Sequence, residues 1–217
     1  MELYTSEGCS SCPPADRWLS ELAAHGDKRI VPIAFHVSYW DYIGWKDRFA
    51  DARYTERQHD IAEAQGASMV YTPQVMIGGR DFRRWTDMTA VAKAIEEIGR
   101  APAPARITIA PKSAGDGAIE GTASLQLVAG AKPANVKLFV ALTQDGLSSK
   151  VTAGENRGES LHHNAVVRGL AAIASGDGSF RFAPKPDWDL ARMSLVAFAQ
   201  DSATGRVLQA LSAPLCR

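Results

Sequence analysis

Apolar positions fall into two textures along this chain, and the change comes near residue 100. In residues 1–100 short apolar runs alternate with segments at helical spacing. Leu3-Tyr4-Thr5 is a strand candidate, followed by a turn from Ser6 to Cys12. Pro13 and Pro14 suit the first turn of a helix, where their missing N–H groups would have had no partner. Trp18, Leu19, Leu22 and Ala23 then recur at helical spacing, and Gly26 ends that helix. Ile30 to Val37 is almost continuously apolar, as a strand buried on both faces requires. An aromatic stretch from Tyr39 to Trp45 leads into polar helical sequence from about Lys46 to Gln65, read as two pieces. Val75-Met76-Ile77 is the next strand, and Gly78-Gly79 a tight turn into Arg80 to Arg84. Thr86 to Ile98 closes this half as a helix, with Thr86 as its cap and Val91, Ala94, Ile95 and Ile98 as its apolar stripe.

Beyond residue 105 the pattern becomes that of strands. Arg106 to Ala110, Ile119 to Val128, Val136 to Thr143, Asn164 to Ile173, Ser179 to Phe182 and Ser194 to Gln200 are β-branched or alternating runs. Turns rich in Gly, Asp, Asn or Pro separate them, and Asp201 to Gly205 reads as a hairpin loop. Six or seven short strands in about 110 residues predict an antiparallel sandwich. Between the textures lies Arg100-Ala101-Pro102-Ala103-Pro104-Ala105, whose alternating prolines block a helix and resist burial. The expected fold class is therefore an α/β domain over residues 1–100 followed by an all-β antiparallel sandwich over residues 106–217.

Composition narrows the function classes. The 217 residues carry 24 Lys plus Arg against 24 Asp plus Glu, so no global positive field attracts nucleic acid or anionic lipid. No apolar run approaches the ~18–20 residues of a membrane span, so no integral membrane segment is expected. The N-terminus lacks a basic segment followed by an apolar one, so no signal peptide is expected within this chain. Three cysteines are too few for a disulfide scaffold, yet two of them form Cys9-Ser10-Ser11-Cys12.

A C-x-x-C that follows a strand and opens a helix is more specific than the four-residue string alone. Two intervening residues let the sulfurs meet across one helical turn. The first sulfur then lies near the free N–H groups and positive dipole end of the helix, which stabilise a thiolate. Only the thiolate attacks a disulfide, so Cys9 is the expected nucleophile, partly exposed, and Cys12 the buried resolving thiol. Ser10 and Ser11 can donate hydrogen bonds, while Glu7 would oppose the dipole. The plainer alternatives are a static local disulfide or half of a zinc site. Zinc would need two more ligands from Cys216, His25, His36, His59, His162 and His163, and none of these makes a second close-spaced pair of the right type. His162 and His163 are adjacent and on a strand would face opposite ways. Neither a metal nor another cofactor is expected.

The motif Leu3-Tyr4-Thr5-Ser6-Glu7-Gly8-Cys9-Ser10-Ser11-Cys12-Pro13-Pro14-Ala15-Asp16 resembles a bacterial secreted thioredoxin-like family catalogued as a domain of unknown function, number 1223. So do Phe35 to Asp41, Gly44-Trp45-Lys46-Asp47, Gly154 to Gly158 and Leu161-His162-His163, so the resemblance spans nearly the whole chain. It implies a thioredoxin-like first domain, a periplasmic or secreted location, and no established substrate. It also implies that Thr72–Pro73 is a cis bond facing the cysteines, with Tyr71, Thr72 and Pro73 as a substrate platform. Trp40 and its aromatic neighbours either line a groove for a peptide or pack an inserted loop. His36 is either a proton relay to Cys12 or a satisfied core histidine. Cys216 is either an idle thiol or a pairing one, and Asn156 to Leu161 either a structural turn or a contact with a partner or with the first domain.

Two functions of different class follow. One is an extracytoplasmic thiol–disulfide oxidoreductase acting on a protein, peptide or small-thiol substrate and served by an unidentified redox partner. The other is a non-enzymatic adaptor with a static disulfide, in which the sandwich does the binding.

Overall fold

The computed structural model describes residues 1–114, 116–128, 135–173 and 176–215, and Cys216 lies outside them. Strand β1 (Glu2–Thr5) runs through the loop at the cysteines into helix α1 (Pro13–His25). The two prolines occupy the start of α1, and Gly26 ends it in the left-handed conformation at φ 66°. Strand β2 (Ile33–His36) follows, then helix α2 (Ala52–Ala64), strands β3 (Gln74–Ile77) and β4 (Arg80–Asp81), and helix α3 (Met88–Gly99). The remaining elements are strands: β5 (Ala105–Ser113), β6 (Ile119–Leu127), β7 (Val136–Gln144), β8 (Leu147–Lys150), β9 (Ser160–His163), β10 (Val166–Ile173), β11 (Asp177–Phe182), β12 (Met193–Asp201) and β13 (Val207–Pro214).

The expected fold class, a thioredoxin-like α/β domain followed by an all-β antiparallel sandwich, is overturned. The protein is mostly β, with three α-helices among the described residues, and its principal sheet has eight strands drawn from both halves. Their order is β13-β12-β7-β10-β2-β1-β3-β4, with parallel and antiparallel pairs mixed. The halves meet where β10 pairs in parallel with β2 at Val166 and Ala34, and Ala34 N–H donates to the Ala165 carbonyl at 2.8 Å. A three-stranded sheet, β11-β6-β5, stands apart from it, and β8 and β9 pair with each other.

Side chains alternate across the shared sheet, as strand geometry demands. On one face Leu3, Ala34, Val75 and Ile77 meet Ala15, Trp18 and Leu19 of α1 and Val91 of α3. On the other, Tyr4, Phe35 and Met76 meet Tyr54 and Ile61 of α2, and the same cluster takes in Ala141, Val167, Val196 and Phe198. One core thus joins residues from both sides of the seam. Farther along, Ile107, Ile119, Phe180 and Phe182 pack on Leu138, Val140, Leu142 and Leu195.

Local expectations differ at identifiable points. Helix α2 is a single helix beginning at Ala52, because Asp51 is extended (φ −139°) and its side chain accepts from Arg53 N–H. Helix α3 is capped by Asp87, which accepts from Ala90 N–H at 3.0 Å, and not by Thr86. Strand β8 matches none of the expected runs, while β13 returns from the hairpin loop expected at Asp201 to Gly205. Ala101 and Pro102 are exposed, so a protease should cut there first. The nicked halves are expected to co-elute in native buffer, because the β2–β10 pairing and the shared core still hold them. Gel filtration after limited proteolysis checks this, and separate elution would mean independently folded halves.

Candidate functional site at the Cys9–Cys12 disulfide

The turn from Ser6 to Cys12 is held by backbone bonds from Cys9 N–H to the Ser6 carbonyl and from Cys12 N–H to the Cys9 carbonyl. Cys12 is the N-cap of α1, and its carbonyl accepts from Ala15 and Asp16 N–H. Cys9 and Cys12 are disulfide-bonded with their Cα atoms 5.4 Å apart. The Ser11 hydroxyl lies 3.4 Å from the Cys9 sulfur. Cys12 is buried as expected, but Cys9 is buried too, both residues at 0% exposure. The partly exposed first sulfur expected from a helix start is therefore corrected: both cysteines are buried.

Beside this turn lies an unusual density of buried ionisable groups. Glu7, Asp16, His36, Asp47 and His163 are each at most 6% exposed. Glu7 Oε1 is 3.1 Å from His163 Nε2, and Glu7 Oε2 accepts from Trp45 Nε1–H at 2.9 Å. Asp16 sits one turn after Cys12 on α1, so the two side chains share a helix face. Its carboxylate accepts from the Thr5 hydroxyl at 3.2 Å and lies 3.8 Å from His163 Nδ1, too far for a hydrogen bond. His36 Nδ1 and Asp47 Oδ2 are 2.7 Å apart, and the two imidazole rings meet edge to face with centroids 4.9 Å apart.

These environments move protons in opposite directions. Burial raises the Asp16 carboxyl above its usual range, against the pull of the His163 and His36 imidazoles. Burial alone would lower His36, but Asp47, reinforced by Asp16 and Glu7, outweighs it and holds the imidazole above its ordinary value. Asp47 is pushed up by burial and pulled down further by His36 and by the N–H groups of Glu7 and Phe49, ending below its ordinary value. The cluster thus keeps one carboxyl ready to hold a proton beside another that resists one.

The segment between β8 and β9 crosses this turn. Asn156 donates from Nδ2 to the carbonyls of Glu7 at 2.8 Å and Cys9 at 3.0 Å, and Glu155 accepts from Ser10 N–H at 2.9 Å. The hydrogen bond from Ser10 holds the Glu155 carboxyl below its usual range. Gly8 is needed on the opposite wall: a Cβ there would meet Trp40 Cβ at 2.9 Å.

Trp40 connects this wall to the proline turn by donating from Nε1 to the Thr72 hydroxyl at 2.7 Å. The Thr72–Pro73 bond is cis. Tyr71 is anchored elsewhere: its hydroxyl donates to Asp81 on β4 at 2.6 Å, and its carbonyl accepts from Gln58. Burial and Asp81 push the Tyr71 phenol up to about 12. The structure therefore joins Trp40 and Thr72 directly, and ties the Tyr71 side chain to the sheet edge. Among the described residues no group of three or more His, Cys, Asp and Glu is arranged to hold a metal ion. None of the described helices is long and apolar enough to cross a membrane.

The model of the family described as "Protein of unknown function (DUF1223)" matches residues 1–200. The chain belongs to DUF1223. No curated protein matches it. Among solved structures it resembles protein AGR_C_4864 from Agrobacterium tumefaciens, at 25% identity and a TM-score of 0.71, over 97% of this chain and 91% of that one. It also resembles HBP35 of Porphyromonas gingivalis, at 14% identity and a TM-score of 0.71, over 99% of this chain and 74% of that one. The second likeness speaks to fold alone.

Of the alternatives for Asn156 to Leu161, contact with the first half is the one observed in this DUF1223 site, while the pairing of Glu7 with His163 had no sequence signal. Glu7 and His163 are 156 residues apart, and Asn156 lies 149 from its Glu7 acceptor. A usable signal did exist for His36. A histidine at the end of an apolar buried run needs a buried polar partner. That partner, Asp47, belongs to the Gly44-Trp45-Lys46-Asp47 motif.

Proposed function

We propose that this DUF1223 protein is a thiol–disulfide oxidoreductase of the bacterial periplasm or extracellular space. The observation that carries the reading is the Cys9–Cys12 disulfide at the first turn of α1 beside buried, partnered carboxylates and imidazoles. A purely structural role accounts poorly for this combination. A bridge between residues three apart closes a very short loop, worth only about 2 kcal/mol on the chain-entropy estimate. Burying several charges nearby costs several kcal/mol per ion before pairing offsets it. Disulfide exchange, by contrast, needs groups that take up and release protons as thiolates form and disappear.

In this reading Cys9 is the nucleophile and Cys12 the resolving thiol. The Ser11 hydroxyl is within reach to stabilise a Cys9 thiolate. Thr72, Pro73, Trp40 and Tyr71 form the platform for a protein or peptide substrate, and a separate redox partner resets the pair. An oxidising compartment suits a chain that keeps such a bridge.

A second reading has its own observation. Both cysteines are fully buried, which favours a static bridge in a non-enzymatic adaptor. Insulin reduction and reactivation of scrambled ribonuclease, run on the wild type and on Cys9→Ser, distinguish the two. The enzyme reading expects activity in at least one assay, lost at least a hundredfold in Cys9→Ser, on the scale of removing a covalent nucleophile. Equal rates for both proteins, or none from either, favour the adaptor.

A further inference from the structure

Access is the difficulty that the oxidoreductase reading must meet. A thiolate attacks a disulfide at sulfur, and at 0% exposure neither Cys9 nor Cys12 can be reached. One short segment crosses the cysteine turn. The chain leaves β8 at Lys150, turns with left-handed glycines at Gly154 (φ 73°) and Gly158 (φ 94°), and re-enters β9 at Ser160. The strands on either side pair with each other and with neither larger sheet among the described residues. Across the cysteine turn, this 151–159 strap makes two hydrogen bonds from Asn156 and one through Glu155. Its Gly154 backbone rests on Ile43 and Trp45, close enough that a Cβ would meet each at 3.3 Å.

The groups the strap satisfies describe what can replace it. It gives donors to the Glu7 and Cys9 carbonyls and an acceptor to Ser10 N–H, all of them main-chain groups on one short stretch. Left bare and buried, the two carbonyls would be costly, whereas Ser10 N–H lies in an exposed contact. An extended polypeptide offers the same complement, N–H groups and carbonyls in alternation along one edge. A small thiol without a backbone offers no such complement.

We propose that the 151–159 strap is a displaceable cover on the Cys9–Cys12 disulfide, and that the occupant which displaces it is an extended, thiol-bearing polypeptide segment. The proposal rests on the oxidoreductase reading. In the forward step a thiolate of a substrate dithiol attacks Cys9 sulfur. The Cys9–Cys12 bond breaks, a substrate–Cys9 disulfide forms, and Cys12 leaves as a thiolate that takes up a proton. The second substrate thiol, once deprotonated, attacks its neighbour's sulfur and releases Cys9 as a thiolate. The substrate loses two electrons and the cysteine pair gains them.

Two measurements test the cover. The first follows reduction of the oxidised protein by a water-soluble phosphine, in wild type, Asn156→Ala and Glu155→Ala. Losing the two Asn156 bonds is expected to raise the rate about tenfold, and losing the exposed Glu155 contact to raise it less. The second uses Cys12→Ser and a short peptide whose cysteine carries an aromatic thiol in mixed disulfide. Cys9 thiolate attacks the peptide sulfur and the aromatic thiolate leaves. In the resulting adduct the amides of the strap are expected to exchange hydrogen at least tenfold faster than in the free protein, while the same adduct made with cysteamine shows a smaller change. This arm leaves strap residues intact, so it stands even if Asn156→Ala folds badly. Unchanged phosphine rates in well-folded variants, or strap amides equally protected with and without the peptide, overturn the proposal. Faster phosphine reduction and a strap released by the peptide, in a wild type inactive in both enzyme assays, would retire the oxidoreductase reading and keep the cover.

Discussion

Replacing Arg57 with alanine is expected to lower stability by about 3–5 kcal/mol, the usual cost of removing one partner of a buried ion pair. Arg57 is 7% exposed and donates to Glu2 at 2.9 Å, and the same Glu2 oxygen accepts from the Tyr4 hydroxyl. Its guanidinium also lies within 5.3 Å of the ring centroids of Phe35, Phe139 and Phe198. Phe35 is on β2, Phe139 on β7 and Phe198 on β12, so one side chain ties together strands from both halves of the sheet. Alanine would leave the Glu2 carboxylate buried without its cation and open a void among three rings. Replacing both partners, as in Glu2→Gln with Arg57→Met, should recover most of the loss, because no lone charge then remains. Urea unfolding of the two variants checks this. A loss under about 1 kcal/mol in Arg57→Ala would mean that the pair is not a junction of the fold.

The contrast between what could and could not be read from the sequence follows from the range of the interactions. Helix α1 was legible because Pro13, Pro14 and Gly26 mark its ends locally. Strands β1 and β3 were legible because their apolar runs are short and bounded by turn residues. Strand β8 was not: Leu147-Ser148-Ser149-Lys150 carries no β-branched or aromatic residue to signal a strand. The merged sheet left no periodic trace at all. It depends on Val166 finding Ala34, and a pairing between distant segments adds nothing to the local pattern of either. The Pro-Ala stretch near residue 102 was a sound sign of exposed chain but a poor guide to architecture, because strands on either side of it enter one sheet.

The same division runs through the site. Cys9 and Cys12 announce themselves by spacing, and the cis Thr72–Pro73 bond was implied by family resemblance. The partners that give the disulfide its surroundings are carried by another part of the chain: His163 at the end of β9, and Asn156 in the strap. Glu7 shows the consequence for reasoning about charge. Beside a thiolate it reads as an isolated opposing carboxylate, yet its two oxygens face His163 and Trp45. Its effect on Cys9 therefore depends on the whole network, and Glu7→Gln would disturb that network before it altered a thiol.

Replacing Asp47 with asparagine is expected to remove about 3–5 kcal/mol and to lessen the fall of stability above pH 6.5. Asp47 Oδ2 accepts from Glu7 N–H at 2.9 Å and faces His36 Nδ1 at 2.7 Å, while Oδ1 accepts from Phe49 N–H at 2.9 Å. An amide supplies one acceptor where the carboxylate supplies two, so an NH2 group must face a donor. The pH dependence has a definite sign on each limb. Asp47 has its carboxyl lowered from 3.8 in the folded protein, so its contribution is present above 3.8 and lost as pH falls through the folded value. His36 is raised from 6.5, so its contribution is complete below 6.5 and lost as pH rises through the folded value. The pair therefore stabilises most between the two limbs. Asp16 acts against the first: its raised carboxyl makes the folded state bind more protons, so that its contribution falls as pH rises from 3.8 through its own folded value. Asp47→Asn removes the acid-side gain and most of what raises His36, leaving the Asp16 slope exposed. Urea midpoints between pH 3 and pH 9 for wild type and variant measure both limbs. A variant that kept the wild-type fall above pH 6.5 would show that His36 does not draw its extra proton affinity from Asp47.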